Sequence, residues 1–453
     1  MHDLSISARA RDLVLANGAR LTLIENRADV TVDIVGLFEG GLFLEAPERS
    51  GLANLTLEML DRGTKRRDER EISDALESNG IQLEYALLRE AAGLRARCLS
   101  DDLPLLVDLL GETLNEPSFP EEQLRLCKEQ ILADLRETDF DTFEQASKRA
   151  AVRLLGESHP YAREPQGEPE IVSALQAEEL EDFRRATLTG ARLRLVVIGD
   201  IDPDAVSSLL ARALTALPEE NGARGGIGGA ATAGEIEGGA NASGIGDAET
   251  AGERFAVQDD RAEPGLARPL REHVEIPDKE QIDIVFLRPG IPRTDPGFEA
   301  YGVANFILGG SFVARLNQSL RDRAGLTYGA HSTIVSGRHP GYWLAATGVP
   351  PAQVGRAIDI VEEELARFAD RGVEREELEI ARDHLLGAFP IRLETNRGLA
   401  AFLLDGMRFG RGRDYAERYP ERLRALTLEQ VNAAARRLIR REDLIVVTAG
   451  TLE

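Results

Sequence analysis

Val32-Asp33-Ile34-Val35 reads as a strand, and about 250 residues later Ile282-Asp283-Ile284-Val285 reads as the same strand again. Each run leads through a Gly- or Pro-containing turn into a helical stretch. Leu52-Ala53-Asn54 is echoed by Val303-Ala304-Asn305, and Glu121-Glu122-Gln123-Leu124 through Leu132 matches Glu376-Glu377-Leu378 through Leu386 in apolar phase. Leu175 to Leu180 parallels Leu426 to Val431. Each copy then runs into a strand closed by glycine, Leu195-Val196-Val197-Ile198-Gly199 and Ile445-Val446-Val447-Thr448-Ala449-Gly450. One offset kept over so many elements marks a duplicated domain of about 200 residues.

Within the first copy, Leu21–Glu25 and Val30–Phe38 read as strands around a turn at Arg27-Ala28-Asp29. Apolar spacing at i, i+3 and i+4 predicts helices over Leu52–Asp61, Glu69–Asn79, Asp102–Asn115 and Glu121–Glu137. Ile81–Ala86 and Ala91–Leu99 alternate like a hairpin. Hairpin strands with helices between them predict an α+β domain, its mainly antiparallel sheet covered by helices on one face. Between the copies, 219–269 is rich in Gly and Ala and lacks hydrophobic periodicity, so it reads as a flexible linker. The expected domains are therefore 1–218 and 270–453.

Composition narrows the function. The 453 residues carry 78 Asp plus Glu against 54 Lys plus Arg, a net charge of −24. That balance argues against a general nucleic-acid binder, which needs a basic face, and equally against docking on an anionic membrane. No apolar run approaches the ~20 residues of a membrane helix, and the first residues lack a signal-peptide core. A cytoplasmic location is the expectation. Cys98 and Cys127 lack metal-ligand spacing and sit in apolar-periodic stretches, as buried thiols would. His2, His159, His273, His331, His339 and His384 include no pair with metal-ligand spacing. Gly40-Gly41 and Gly309-Gly310 lack the rest of a phosphate loop, and no GxSxG or HExxH occurs.

Two stretches carry the functional reading. The first is Gly51-Leu52-Ala53-Asn54-Leu55-Thr56-Leu57-Glu58-Met59-Leu60-Asp61-Arg62-Gly63-Thr64. The second is Leu308-Gly309-Gly310-Ser311-Phe312-Val313-Ala314-Arg315-Leu316-Asn317-Gln318-Ser319-Leu320-Arg321-Asp322-Arg323-Ala324-Gly325-Leu326-Thr327-Tyr328. The first resembles the active-site helix of the M16 (insulinase and mitochondrial processing peptidase) family, in which Gly-Leu-Ala is followed by His-x-x-Glu-His and a closing Gly-Thr. The resemblance covers about Leu13 to Gly450 apart from the linker. It implies an α+β fold of two homologous LuxS/processing-peptidase-like domains.

In the family the two histidines and a later Glu bind Zn²⁺, and the motif Glu polarises a water. Here those positions hold Asn54, Leu57 and Glu58, with Asp134 at the remote ligand position. Three oxygen ligands without an imidazole do not make a tight zinc site, and Leu57 cannot accept a proton. No metal is expected in this chain. The second stretch resembles the family's Gly-Gly-x-x-x-x-Arg-Leu signature and its Arg/Tyr pair, which the match places at Arg321 and Tyr328. The family's Arg and Tyr contact substrate carbonyls across a closed chamber. A guanidinium offers a planar donor fork, and a phenol can donate to an oxygen gaining charge. Taken alone, Arg321 would read as a solvated helix residue and Tyr328 as a strand packing residue. Glu157-Ser158-His159-Pro160-Tyr161, with Arg163 and Gly167, resembles a family loop and marks fold rather than site.

The resemblance implies a non-catalytic, substrate-binding subunit of a heterodimeric zinc metallopeptidase. A partner chain would supply His-x-x-Glu-His and the zinc, and the substrates would be unfolded peptides. A purely structural scaffold, similar to the respiratory-complex core subunits, is the alternative. A self-sufficient homodimer is disfavoured by the loss of both His ligands and the motif Glu.

Overall fold

The computed structural model describes residues 6–219, 270–439 and 444–452. The linker expected at 219–269 falls, beyond residue 219, outside the described residues. One sheet comprises β1 (Ala10–Val14), β2 (Arg20–Glu25), β3 (Thr31–Glu39), β4 (Gln82–Leu88), β5 (Ala91–Leu99) and β6 (Leu193–Gly199). The other comprises β7 (Leu270–Glu275), β8 (Ile282–Pro289), β9 (Ala330–Val335), β10 (Tyr342–Val349) and β11 (Ile445–Gly450).

The strand orders are β1-β2-β6-β3-β5-β4 and β7-β11-β8-β10-β9. Without β1 the first order is the second, strand for strand. Only β2–β6 and β7–β11 pair in parallel; every other pairing is antiparallel. The duplication and the fold class read from the sequence are thereby shown. The closing glycines have a steric reason. A Cβ on Gly199 would lie 2.3 Å from the Thr31 carbonyl oxygen, and one on Gly450 would lie 2.8 Å from that of Gln281. Each glycine lets its strand end run against the start of the central strand.

The sheets are covered on both faces rather than one. β3 is buried at every position from Val32 to Glu39, which alternation over a single core cannot produce. Its second face meets the Asn396–Arg408 helix, which belongs to the second sequence copy. Reciprocally, the Thr142–Leu155 helix of the first copy packs on β8 and β11. The chain accordingly groups into two units. The first takes the described residues up to Ala133, those from Glu164 to residue 219, and Leu393–Asp414. The second takes Asp134–Arg163, the described residues from 270 to Arg392, and those from Tyr415 onward. Each unit thus departs from a contiguous 1–218 or 270–453 span by one lent segment. The physical cause is the apolar second face of each central strand, which needs a cover.

The repeated Asp of the central strand anchors the lent helix. Thr142, in that helix's first turn, donates its hydroxyl to the Asp283 carboxylate. In the other unit, Asp33 is 1% exposed and lies 3.5 Å from the Arg397 guanidinium, in the first turn of the Asn396–Arg408 helix. Burial raises the carboxyl pKa of both aspartates; Arg97 and Arg397 oppose it at Asp33, and Thr142 opposes it at Asp283. Basic residues further along the lent helices find acids on the sheet. Arg408 lies 3.3 Å from Glu39, and Arg149 and Arg153 lie 3.0 and 2.7 Å from Glu272. Hydrogen bonding from Arg153, against burial, holds the Glu272 carboxyl below its ordinary range.

The remaining helices build the cores on the opposite faces. Leu106, Leu109, Leu110 and Leu114 of the Leu103–Asn115 helix are fully buried. In the second unit Trp343, Tyr301, Phe286 and Phe368 are the largest buried side chains. Cys98 is buried and Cys127 half-buried. Among the described residues no helix is long and apolar enough to cross a membrane.

Candidate functional site

The helix expected over Leu52–Asp61 stops at Glu58. Its N-terminus is held by the buried Glu45, whose carboxylate accepts from the Ala53 amide at 2.7 Å. Leu52, Ala53, Leu55, Thr56 and Leu57 are buried; Asn54 is half-buried and Glu58 exposed. Beyond Glu58, Met59 and Leu60 enter the core. The chain then turns at Gly63-Thr64, where the Thr64 hydroxyl donates to the buried Glu112 at 3.2 Å. Arg67 also pairs with Glu112, and Arg66 binds Asp108 through both ends of its fork at 3.1 and 3.2 Å. The closing Gly-Thr is therefore a structural clamp.

Leu57 is 5% exposed, in an apolar pocket with Phe38, Leu44, Leu87, Phe183 and Leu188. The position of a general base is thus built into the core. Near Glu58, the Cys127 thiol is pushed up to about 11 by burial and then by the Glu58 charge. Asp134 is half-buried on the Glu121–Thr138 helix. Among the described residues no group of three or more His, Cys, Asp or Glu side chains is placed to hold a metal ion. An amide, two carboxylates and a buried leucine do not fit zinc.

The second stretch is built differently. The Phe298–Leu308 helix ends at Gly309, where a Cβ would lie 2.5 Å from the Ser332 hydroxyl and 2.9 Å from Leu316. One on Gly310 would lie 2.8 Å from the Phe306 Cα. The Gly-Gly pair is thus a packing requirement. A short helix, Arg315–Asn317, opens into a π-turn over Gln318–Arg323, a widened turn common at functional sites. The Leu326 amide donates to the Leu320 carbonyl at 2.9 Å and closes it.

Arg315, the arginine of the Gly-Gly-x-x-x-x-Arg-Leu frame, is a clamp. Its Nε donates to Glu377 at 2.7 Å and its Nη2 to both Glu377 and the Gly372 carbonyl. Burial works against both charges, yet the paired hydrogen bonds hold the Arg315 pKa above and the Glu377 pKa below their ordinary values. Glu364, 2% exposed, accepts from the Ser319 hydroxyl at 3.0 Å and from Arg367 at 2.8 Å, which fixes the turn from behind.

Arg321 has a different environment. Its Nε donates to Asp322 at 2.8 Å, and its guanidinium carbon stands 3.7 Å from the centroid of the Phe312 ring. Its Nη1 is buried and finds no acceptor among the described residues. A buried unsatisfied donor costs about 1–3 kcal/mol until an acceptor arrives. Tyr328 is 93% exposed, yet its backbone is held. Gly329 accepts from the Thr327 and Thr347 hydroxyls, and the Ala330 amide donates to Asn317 Oδ1 at 2.8 Å. Beneath lies a buried network in which Asn305 Oδ1 accepts from Trp343 Nε1 and the Ser332 hydroxyl, both at 2.7 Å.

Arg321 and Tyr328 therefore stand in one unit, on either side of one turn. Phe312, Asn317 and Glu364 support that turn and were not singled out by sequence reasoning. Phe312 occupied an unspecified place in the motif, and the partnership of Glu364 with Ser319 spans 45 residues without a local signal.

Two family models match the chain. The description "Insulinase (Peptidase family M16)" matches residues 21–157, which include the Asn54 helix. "Peptidase M16 inactive domain" matches residues 174–385, which include Arg321 and Tyr328. The uncharacterized zinc protease YmxG of Bacillus subtilis is 23% identical over 431 residues, 93% of this chain and 94% of that one. The non-peptidase homolog YmxG of Helicobacter pylori is 25% identical, covering 79% of this chain and 74% of that one. The crystal structure of a peptidase M16 inactive domain from Pseudomonas fluorescens superposes with a TM-score of 0.82 at 24% identity, over 98% of both chains. One relative is named a protease and another a non-peptidase, so the names leave activity open. With both repeats matched and the inverted zinc motif replaced, the chain belongs to peptidase family M16, as an inactive-type member.

Proposed function

We propose that this chain is the substrate-binding, non-catalytic subunit of a heterodimeric M16-type zinc peptidase. Arg321 and Tyr328 then act in trans on peptide held at the partner's zinc. The supporting observation is the contrast between the two stretches. Leu57, in the general-base position, is packed into the core. Arg321, by contrast, keeps a buried Nη1 without an acceptor, and Tyr328 is held exposed on an ordered backbone.

In this reading a substrate carbonyl accepts from the Arg321 guanidinium. The Tyr328 hydroxyl donates to an oxygen that gains charge during attack. The partner's metal would supply the polarised water, and a His-x-x-Glu-His helix would be the feature by which the partner is recognised. Unfolded peptides are the substrate class. The test is hydrolysis of a quenched fluorescent peptide by this chain alone, by a His-x-x-Glu-His homologue from the same source alone, and by the two mixed. Zinc is measured on each chain. Activity restricted to the mixture, with zinc on the homologue, is the expected result. Stoichiometric zinc and activity in this chain alone would overturn the reading.

A further inference from the structure

We propose that Phe312 is a positioning residue for Arg321. The inference rests on the substrate-binding reading above. Arginine is a long side chain, and a freely rotating guanidinium presents no fixed donor to a substrate. At Arg321 two constraints remove that freedom. Asp322 accepts from Nε at 2.8 Å, and the Phe312 ring lies 3.7 Å beneath the guanidinium carbon. The ion pair alone leaves the plane free to swing about the Nε–Oδ1 line; the ring face sets the plane. Nη1 is buried and has no acceptor among the described residues, so the Asp322 bond and the ring face are what hold the group.

Phe312 is itself 72% exposed, so core packing does not explain it. The ring stands exposed with its face against a cation. The loop that carries it is keyed to the rest of the site through Asn317. That buried amide donates from Nδ2 to the Ser311 carbonyl at 3.2 Å and accepts at Oδ1 from the Ala330 amide at 2.8 Å. One side chain thereby fixes the residue before Phe312 and the segment that follows Tyr328. It does so from one helical turn before Arg321. The positions of Phe312, Arg321 and Tyr328 are set together rather than separately.

The experiment has two readouts, on wild type and on the variants F312L, F312W and R321A, each confirmed folded by its thermal melt. The first is the rate of phenylglyoxal modification of Arg321 by peptide mass spectrometry, normalised to the exposed Arg70. It needs no partner. The second is kcat/KM for a quenched fluorescent peptide in the mixture with the His-x-x-Glu-His homologue. F312L, which keeps bulk and loses the ring face, is expected to speed Arg321 modification and lower kcat/KM by about tenfold. F312W is expected to restore both. Arg321 modification unchanged in F312L overturns the proposal. So does faster modification with full F312L activity while R321A is inactive, an outcome that leaves the substrate-binding reading standing. A fully active R321A mixture overturns that reading and this proposal together.

Discussion

Two arginines six residues apart do opposite work. Arg315 is bound by Glu377, by the Gly372 carbonyl and by the neighbouring Glu364, and it stabilises the fold. Arg321 is stacked and left with a free donor. Arg315→Ala strips the partner from a half-buried carboxylate and is expected to cost about 2–3 kcal/mol, with a fall in Tm. Arg321→Ala is expected to leave Tm unchanged or slightly raised, because it removes an unsatisfied donor. Equal losses from both substitutions, measured by thermal melts, would mean that Arg321 is structural. Leu57 gives a second residue-scale prediction. Restoring the motif's acid as Leu57→Glu places a carboxylate in an apolar pocket and is expected to destabilise by about 3 kcal/mol or more. Leu57→Met is expected to cost less than about 1.5 kcal/mol. A Leu57→Glu variant as stable as wild type would show the pocket to be open to water.

Among the elements, the lent helices bring a pH dependence with a definite sign. Burial raises the Asp283 carboxyl pKa, Thr142 opposes this, Asp141 adds to it and His331 counters it. A pKa higher in the folded than in the unfolded state means that the folded state binds the proton more tightly. The contribution is complete below the ordinary carboxylate range, about 4, and is lost as pH rises through the raised value. Asp283→Asn keeps an acceptor for Thr142 and abolishes the charge. Its Tm is expected to exceed that of wild type at pH 7, with the difference shrinking as pH falls toward about 4. A difference that grows on acidification would contradict the assignment. Glu377 has the opposite sign: its depressed pKa makes the clamp with Arg315 a stabilisation that is lost only in acid.

What the sequence made legible also sorts by element. Ala91–Leu99 is a strand over the residues expected, because alternation is a local signal, and Val30–Phe38 shifts only to Thr31–Glu39; Ala10–Val14, Leu270–Glu275, Ala330–Val335 and Tyr342–Val349 are strands that the sequence reading does not contain. The helix expected over Leu52–Asp61 is three residues shorter. Its periodicity runs on through Met59 and Leu60, and the turn that ends it is held by a side chain at Glu112. The lent helices were not legible as such. Thr142–Leu155 has an ordinary amphipathic pattern, and nothing in that pattern says which sheet it covers. Leu57 was legible as a lost base from the motif, but its burial and Phe312's stacking on Arg321 needed the fold.

For the molecule as a whole, duplication gives two sheets of one topology with differently built motif stretches. In the first unit the motif helix has been absorbed into the core around Leu57. In the second the Gly-Gly turn keeps Arg321 and Tyr328 outside the core, on a backbone braced by Asn317, Asn305 and Glu364. The proposal that this chain completes a site on a partner rests on that contrast between the two repeats. The most direct test replaces Arg321 by Ala and Tyr328 by Phe, singly, and measures peptide hydrolysis in the mixture with the zinc-bearing homologue. The account predicts that each variant still associates with the homologue and melts like wild type while kcat/KM falls by about tenfold or more. Full activity in both variants, with association intact, would contradict it and leave this chain a scaffold.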